Sequence, residues 1–290
     1  MSTILASTLV YISQKITTYI GSCIFFLGIA GNLLNIVVFL SLQTFRSKAC
    51  ALYLTVMSFV NIGNLCTGLL SRIIISGFAI DWTLISSFYC KFRWYALQFC
   101  VLTSFACICL AIIDQYLATS FHLRYRNWSN IKTAQYLTIL VLLLLIFHGI
   151  FYLIYFDLIR SSTTNRIVCT SENNLFRQYH LYGYLITLAG ILPLIITSCF
   201  GILAYYNVKN LAYRTVPLVR RHLDKQLTSM VLVQIVLNFI FTLPYTILTT
   251  ISSVLIITNV NEQAVFDFSN VMAILLYYLS FSVSFCFFSH

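Results

Sequence analysis

Two polar side chains, Asp114 and Gln115, follow directly after the charge-free apolar run 94–113. A carboxylate in such a place is costly to bury unless it is protonated or paired with a cation. Gln115 is neutral and supplies no positive charge. We therefore expect Arg124, Arg126 or interfacial water to stabilise the acid, and we expect the position to serve a function.

Neutral polar residues also lie within the apolar runs, among them Asn32, Asn61 and Ser104. Amides and hydroxyls at such positions either hydrogen-bond neighbouring helices or contribute oxygen ligands to an ion. No carboxylate accompanies these residues, and a hard cation prefers charged oxygens. An interior hydrogen-bond network between helices is the favoured interpretation, and a bound ion is the alternative.

The residue types that perform enzyme chemistry are not grouped along the chain. His148, His180 and His222 fall in different stretches, and no set of His, Cys, Asp and Glu has the spacing of a metal site. Neither a Ser–His–Asp arrangement nor a glycine-rich phosphate loop is evident. We therefore expect no enzyme activity, no metal and no cofactor.

The elements that must position these residues follow from composition. The 290-residue chain is 60% hydrophobic and 8% charged, whereas soluble domains carry about 25% charged residues. Its charge-free runs are long enough for membrane helices, and the alternation typical of a β-barrel is absent. We predict one all-α seven-transmembrane helix bundle over residues 1–290. The predicted spans cover residues 17–41, 50–72, 90–119, 132–156, 180–209, 222–257 and 266–289.

Lysines and arginines predict the orientation of the bundle. Of the 17 Lys and Arg residues, the larger share falls on the side of the loops that follow the first, third and fifth spans. The positive-inside rule places that side in the cytoplasm and the N-terminus outside, in a multi-pass protein of the plasma membrane. The net charge of +10 then reflects loops facing anionic lipid rather than nucleic acid. Since the sequence stops at His290, we expect no C-terminal tail.

Two of the ten cysteines lie on the outer side of the predicted bundle: Cys90 at the start of the third span and Cys169 in the loop on the same side. The outer face is oxidising, which favours a disulfide between them. Such a bond would tie the long second outer loop to the top of the third span. Two free thiols are the alternative.

Prolines interrupt two neighbouring spans. Pro193 lies in the fifth span and Pro244 in the sixth, and each removes a backbone hydrogen bond and kinks its helix. Kinks in adjacent helices can produce a cavity or a hinge, although membrane helices also tolerate them without a role. Pro217, in the basic inner loop, is expected to end a helix.

The arrangement of these residues resembles the rhodopsin-like G-protein-coupled receptors over nearly the whole chain. The resemblance rests on "GN" in the first span, "LYL" and later polar residues in the second, and an acid–x–Tyr sequence 25 residues after a cysteine. It implies a Cys90–Cys169 disulfide and a coupling motif at Asp114, Gln115 and Tyr116. The remaining matching residues are Gly31, Asn32, Trp82, Pro193 and Pro244.

The chain departs from the family pattern at four functional positions. Asn61 aligns with the aspartate that holds sodium, and Gln115 replaces the arginine of Asp-Arg-Tyr. Thr242, in the sequence Phe241–Pro244, occupies the place of the toggle tryptophan. The segment 284–288 replaces Asn-Pro-x-x-Tyr. The closest likeness is to invertebrate neuropeptide receptors of the FMRFamide type, with a chemosensory relative or a truncated product as alternatives.

The resemblance implies an extracellular ligand bound among the third, fifth, sixth and seventh spans. Leu97 stands where amine receptors have an aspartate, and residues 268–290 lack the lysine that retinal needs. Glu172, Glu262 and Asp267 on the outer rim are expected to attract a basic peptide. Ordinary solvated loop charge is the alternative interpretation of these acids.

On the inner side, the resemblance implies contact with a heterotrimeric G protein through Gln115, Tyr116 and the basic segment 209–225. That segment is equally suited to anionic lipid. A small transporter or channel and a non-signalling seven-helix decoy are the competing hypotheses. The transporter hypothesis is disfavoured, because the sequence shows no internal repeat and no charged residues that would line a transport pathway.

Overall fold

The computed structural model describes residues 2–78, 80–160, 167–210, 218–254 and 259–283. Within this part of the chain, seven helices are long and apolar enough to cross a membrane. The predicted seven-helix bundle is therefore confirmed. Pro217, the motif segment 284–288 and the ends of the sixth and seventh predicted spans lie outside the described residues. The seven spans are Leu5–Ser41, Ala49–Gly77, Ser87–Thr119, Ile131–Tyr155, Asn174–Lys209, Gln226–Ser252 and Val260–Ser282.

Several helices extend beyond the boundaries predicted from charge. The first begins at Ser2 rather than near residue 17, and the seventh begins at Val260 rather than 266. Charged residues were taken as span ends, yet Lys15 continues the first helix with its ammonium 5.4 Å from the Tyr11 ring centre. Glu262 lies in the first turn of the seventh helix, where the helix dipole favours an acid. The sixth helix covers Leu218–Val254, and short helices occupy Gln43–Arg46, Trp82–Leu84 and Leu123–Trp128.

The second span is not a uniform α-helix. Its α-helical part Ala49–Asn64 is followed by a π-helical turn, Leu65–Leu69, then by Leu70–Arg72 and a second π-helical turn, Ile73–Gly77. Each π turn bonds i to i+5 and accommodates one more residue than an α turn. The helix therefore continues past Arg72, where the sequence predicted its end.

The fifth span changes helix type beside its proline. It begins as Asn174–Gln178, continues as a π-helix over Tyr179–Ile191, and becomes α-helical over Leu192–Asn210. Pro193 lies at the second residue of the α-helical part and has no backbone N–H to donate. Pro244, in contrast, lies inside the continuous α-helix of the sixth span.

The second outer loop contains the one feature of the described chain that an all-α prediction missed. Strands β1, Phe156–Arg160, and β2, Ile167–Ser171, pair in antiparallel register with Leu158 opposite Cys169. Cys169 forms the predicted disulfide with Cys90, at the start of the third span. The hairpin is thereby held against the outer end of that span.

The third span is the structural centre of the bundle. It packs against the second, fourth, fifth and sixth spans, and its side chains Val101, Phe105, Ile108 and Ile112 are buried. The fourth span instead exposes large apolar side chains, including Phe147 at 64%. In a helix bundle of this composition, such side chains face lipid.

A second attachment fixes the hairpin to the third span. The Asp157 carboxylate accepts hydrogen bonds from the Ser87 hydroxyl (2.6 Å) and the Leu158 backbone N–H (2.8 Å), and it lies 3.0 Å from the Lys91 ammonium. These contacts, led by the Ser87 hydrogen bond, lower the pKa of the Asp157 carboxyl to about 2.

This attachment predicts a pH-dependent contribution of Asp157 to stability. Because the folded-state pKa lies below the ordinary value of 3.8, the stabilisation is complete above that value and is lost as the pH falls through about 2. Asp157→Asn should lower the melting temperature of the purified protein at neutral pH and have little effect near pH 2. Thermal unfolding followed by tryptophan fluorescence measures the difference. Glu172→Gln, at an exposed acid beside the same hairpin, is the control; a pH-independent effect of Asp157→Asn would contradict the assignment.

Candidate functional site

A cavity of about 630 Å³ opens in the outer half of the bundle. Its walls come from the second, third, fifth, sixth and seventh spans, and its volume lies within the range of small-molecule sites. Leu97, the position predicted to face a ligand, lies in the wall. The other residues used below are Asn64, Arg72, Arg93, Trp94, Tyr245, Tyr277 and Tyr278.

The charge of this cavity differs from the acidic rim expected from sequence. Among the described residues that line it, the charged ones are Arg72, Arg93 and Arg177, and none is Asp or Glu. The three acids predicted to meet a ligand lie elsewhere: Glu262 accepts a hydrogen bond from Asn259 (3.2 Å), Asp267 accepts one from Gln263 (3.0 Å), and Glu172 is exposed. A role for these acids in attracting a ligand stays a prediction.

Aromatic side chains form the floor of the cavity and continue toward the bundle centre. The rings of Tyr245 and Tyr277 are 4.6 Å apart, and Tyr277 contacts Phe281 at 5.1 Å between ring centres. Phe281 contacts Phe105 of the third span at 5.9 Å. Ring contacts therefore connect the sixth, seventh and third spans below the cavity.

The two histidines at the outer ends of the fourth and fifth spans share one aromatic layer, whereas the sequence placed them at different levels. Gln98 and Tyr179 both hydrogen-bond the His148 ring, and the Tyr152 hydroxyl lies 3.1 Å from His180 Nδ1. Within the described chain, no group of three or more His, Cys, Asp or Glu side chains is arranged to hold a metal ion.

Asn32, Asn61 and Ser104 form one chain of hydrogen bonds in the bundle interior. The Ser104 hydroxyl donates to Asn61 Oδ1 (2.7 Å), and Asn61 Nδ2 donates to Asn32 Oδ1 (3.4 Å). Asn32 Nδ2 donates in turn to the backbone carbonyls of Gly28 (2.8 Å) and Phe281 (3.0 Å). These bonds connect the third, second, first and seventh spans through neutral groups.

Pro193 and Thr242 line one small void between the third, fifth and sixth spans. Thr197 Oγ1 donates to the Pro193 carbonyl (2.7 Å), which occupies a backbone acceptor beside the proline. Thr242 is buried, and its hydroxyl has no hydrogen-bond partner among the described residues. A threonine is far smaller than the family's tryptophan, and the void that it lines has a volume of only about 10 Å³.

At the inner end of the third span, Gln115 connects to the sixth span. Its side chain is 2% exposed, and its Oε1 accepts a hydrogen bond from the Thr228 hydroxyl (2.9 Å). Asp114 is also buried and interacts electrostatically with Tyr53 of the second span. The Tyr116 carbonyl accepts a hydrogen bond from Asn207 of the fifth span (3.4 Å). The motif residues therefore join four spans.

The arginines and tyrosines of the cavity were not identified from sequence as site residues. In the sequence, Arg72 and Arg93 count only as positive charges on the predicted outer side of the bundle. The signal available was the helical spacing between Asn64 and Arg72, which are two turns apart and so share a helix face. The π turns and the packing of the seventh span could not be read from that spacing.

The family described as 7 transmembrane receptor (rhodopsin family) matches residues 31–286. No curated protein matches the chain at a significant level.

The neutral interior network predicts how the protein responds to sodium. Exchanging potassium for sodium should leave the melting temperature of the wild-type protein unchanged, because Asn61 and Asn32 provide no charged oxygen. Asn61→Asp introduces a carboxylate beside Ser104 and Asn32 and should make the melting temperature rise with sodium. Asn64→Asp, one turn away, is the matched control. A sodium response of the wild type equal to that of Asn61→Asp would contradict this assignment.

Proposed function

Because the chain belongs to the rhodopsin family of seven-transmembrane receptors, we propose that it binds an extracellular peptide in the outer cavity and activates a heterotrimeric G protein. The observation that carries this proposal is the third span, Ser87–Thr119. Leu97 in this helix lines the cavity, and Gln115 in the same helix contacts the sixth span near the inner surface. One helix therefore contributes both to the cavity and to the contact with the sixth span near the inner surface.

The proposed mechanism is a population shift between two arrangements of the sixth span. A ligand drives the change only through a higher affinity for the active arrangement. Tyr245, which follows Pro244 in the sixth span, lines the cavity. Its ring contacts that of Tyr277 and so connects the sixth span to the aromatic floor. We expect the helix to bend at Pro244, where a backbone hydrogen bond is missing.

The inner contact that must break in this mechanism is the Gln115–Thr228 hydrogen bond. The family's arginine would make charge-assisted bonds, which contribute about 1.5–3 kcal/mol, against about 0.5–1.5 kcal/mol for a neutral bond. The Gln115–Thr228 bond would therefore act as a neutral, weaker lock of the resting state. A weak lock favours measurable basal signalling.

A non-signalling decoy is the second candidate, and the same residue favours it. Gln115 replaces the arginine through which members of the family contact the G protein. A protein that binds its ligand without coupling to a G protein would account for this replacement. In both cases the N-terminus lies outside and the protein resides in the plasma membrane.

A single substitution on the sixth span tests the neutral lock. Thr228→Val keeps the shape of the side chain and removes the hydroxyl, so basal signalling should rise about fivefold if the bond contributes about 1 kcal/mol. Thr138→Val is the matched control, because Thr138 is also buried but donates within its own helix to the Ala134 carbonyl. Basal output is measured in cells at matched surface expression, and equal output from Thr228→Val and the control would contradict the lock.

Gln115→Arg separates the receptor from the decoy. The substitution restores the family's motif and should change basal signalling or its response to a peptide library across the G-protein families. Signalling by the wild type supports the receptor. Silence of the wild type at confirmed surface expression, together with signalling by Gln115→Arg, identifies the decoy. Identical output from the two forms, active or silent, would contradict a role for Gln115.

A further inference from the structure

Two guanidinium groups face the same cavity without a carboxylate partner. Arg72 of the second span and Arg93 of the third both line it, both are partly buried, and they repel each other electrostatically. Neutral tyrosines line the cavity together with the two arginines, Tyr245 and Tyr278 among them. Neither arginine forms an ion pair with a described residue. A buried pair of like charges with no counter-ion destabilises the bundle unless something else neutralises it.

The side chains of the two arginines line the cavity rather than extending to the membrane surface. Long basic side chains near helix ends can extend toward water and lipid head groups, yet Arg72 points into the cavity wall. Ser71, beside it, shares a hydrogen bond with Tyr89 of the third span (2.9 Å oxygen to oxygen), which joins the two spans at this level. A β-carbon at Gly68 would lie 2.5 Å from the Tyr278 hydroxyl oxygen, so the second and seventh spans are also in close contact here.

Hydrogen-bonding groups around the two arginines are left without partners as well. Asn64 is 0% exposed, and neither its Oδ1 nor its Nδ2 has a partner among the described residues. The same holds for Arg93 Nε and for the indole N–H of Trp94. All three residues line the cavity. Buried polar atoms are nearly always hydrogen-bonded in folded proteins, so the described residues leave the polar groups around the two arginines incompletely paired.

We propose that the cavity binds its ligand through an anionic group, a carboxylate or a phosphate, held between Arg72 and Arg93. The planar guanidinium forms paired hydrogen bonds with both groups. The aromatic floor, with Tyr245 and Tyr277, accommodates an apolar or aromatic body attached to the anion. The inference rests on the proposed function and names the chemistry of its ligand. An anionic ligand group differs from the basic peptide that the acids of the rim predict.

Inorganic phosphate serves as the probe for the anion site, with no G protein required. Replacing chloride by phosphate at constant ionic strength should raise the melting temperature of the purified protein by about 2–4 °C. The double variant Arg72→Gln, Arg93→Gln should lose this rise, and its melting temperature in chloride should not fall below that of the wild type, because a repulsion has been removed. Arg160→Gln, at an exposed arginine of the outer hairpin, should keep the full rise and controls for general salt effects.

The single variants Arg72→Gln and Arg93→Gln replace the double variant if it does not elute as a monodisperse protein. Each should lose part of the rise. No rise in the wild type, or the same rise in the wild type and in the arginine variants, would overturn the proposal. The melting assay does not depend on G-protein coupling. A protein that does not signal but whose melting temperature rises with phosphate has the anion site. A protein that signals but shows no such rise refutes the anion site while leaving the receptor function intact.

Two sources of the anionic group are distinguished by a signalling screen. One pool contains peptides with a free C-terminal carboxylate and the other contains organic acids of similar size, and each is also tested as its amides. The pool that produces signalling identifies the source. Amidation and Arg93→Gln should each reduce the potency of an agonist about tenfold or more. An agonist that keeps its potency after amidation and in the double variant would overturn the proposal.

Discussion

The absence of water in the bilayer core is the constraint on which the rest of this structure depends. Backbone groups there must be hydrogen-bonded within their own segment, and seven helices satisfy this requirement. Side chains are subject to the same requirement. Asn32, Asn61 and Ser104 satisfy it through one another across four spans. Three of the described residues at which it is not satisfied, Asn64, Arg93 and Trp94, line the 630 Å³ cavity.

Neutral contacts hold together the positions where the family uses charge. Asn61 replaces an aspartate, and the Gln115–Thr228 bond replaces an ionic contact. Neutral hydrogen bonds contribute less than charged ones and cost less to bury. Among the described residues, the charged side chains of the bundle interior include Asp114 at one end of the third span and Arg72 and Arg93 at the cavity. The two arginines lie at the cavity without an ion-pair partner among the described residues.

The features predicted from sequence are those that depend on composition and local pattern. Long charge-free runs predicted seven helices, and the oxidising outer face predicted the Cys90–Cys169 bond. The boundaries were less accurate, because the first and seventh helices include Lys15 and Glu262, which lie outside the predicted spans. The pairing of strands β1 and β2 and the contact between Tyr245 and Tyr277 depend on packing between segments, which a single sequence does not specify.

The two π turns of the second span affect how its cavity end responds to a change in length. Each turn holds one residue more than an α turn, and Leu70–Arg72 lies between them. Loss of one residue within Leu65–Leu69 would let the α-helical ladder close, and the residues beyond it, Arg72 included, would keep nearly the same direction. The same loss in a plain α-helix rotates everything beyond it by about 100°. The π turn is therefore a place where the second span can shorten by one residue while Arg72 stays at the cavity.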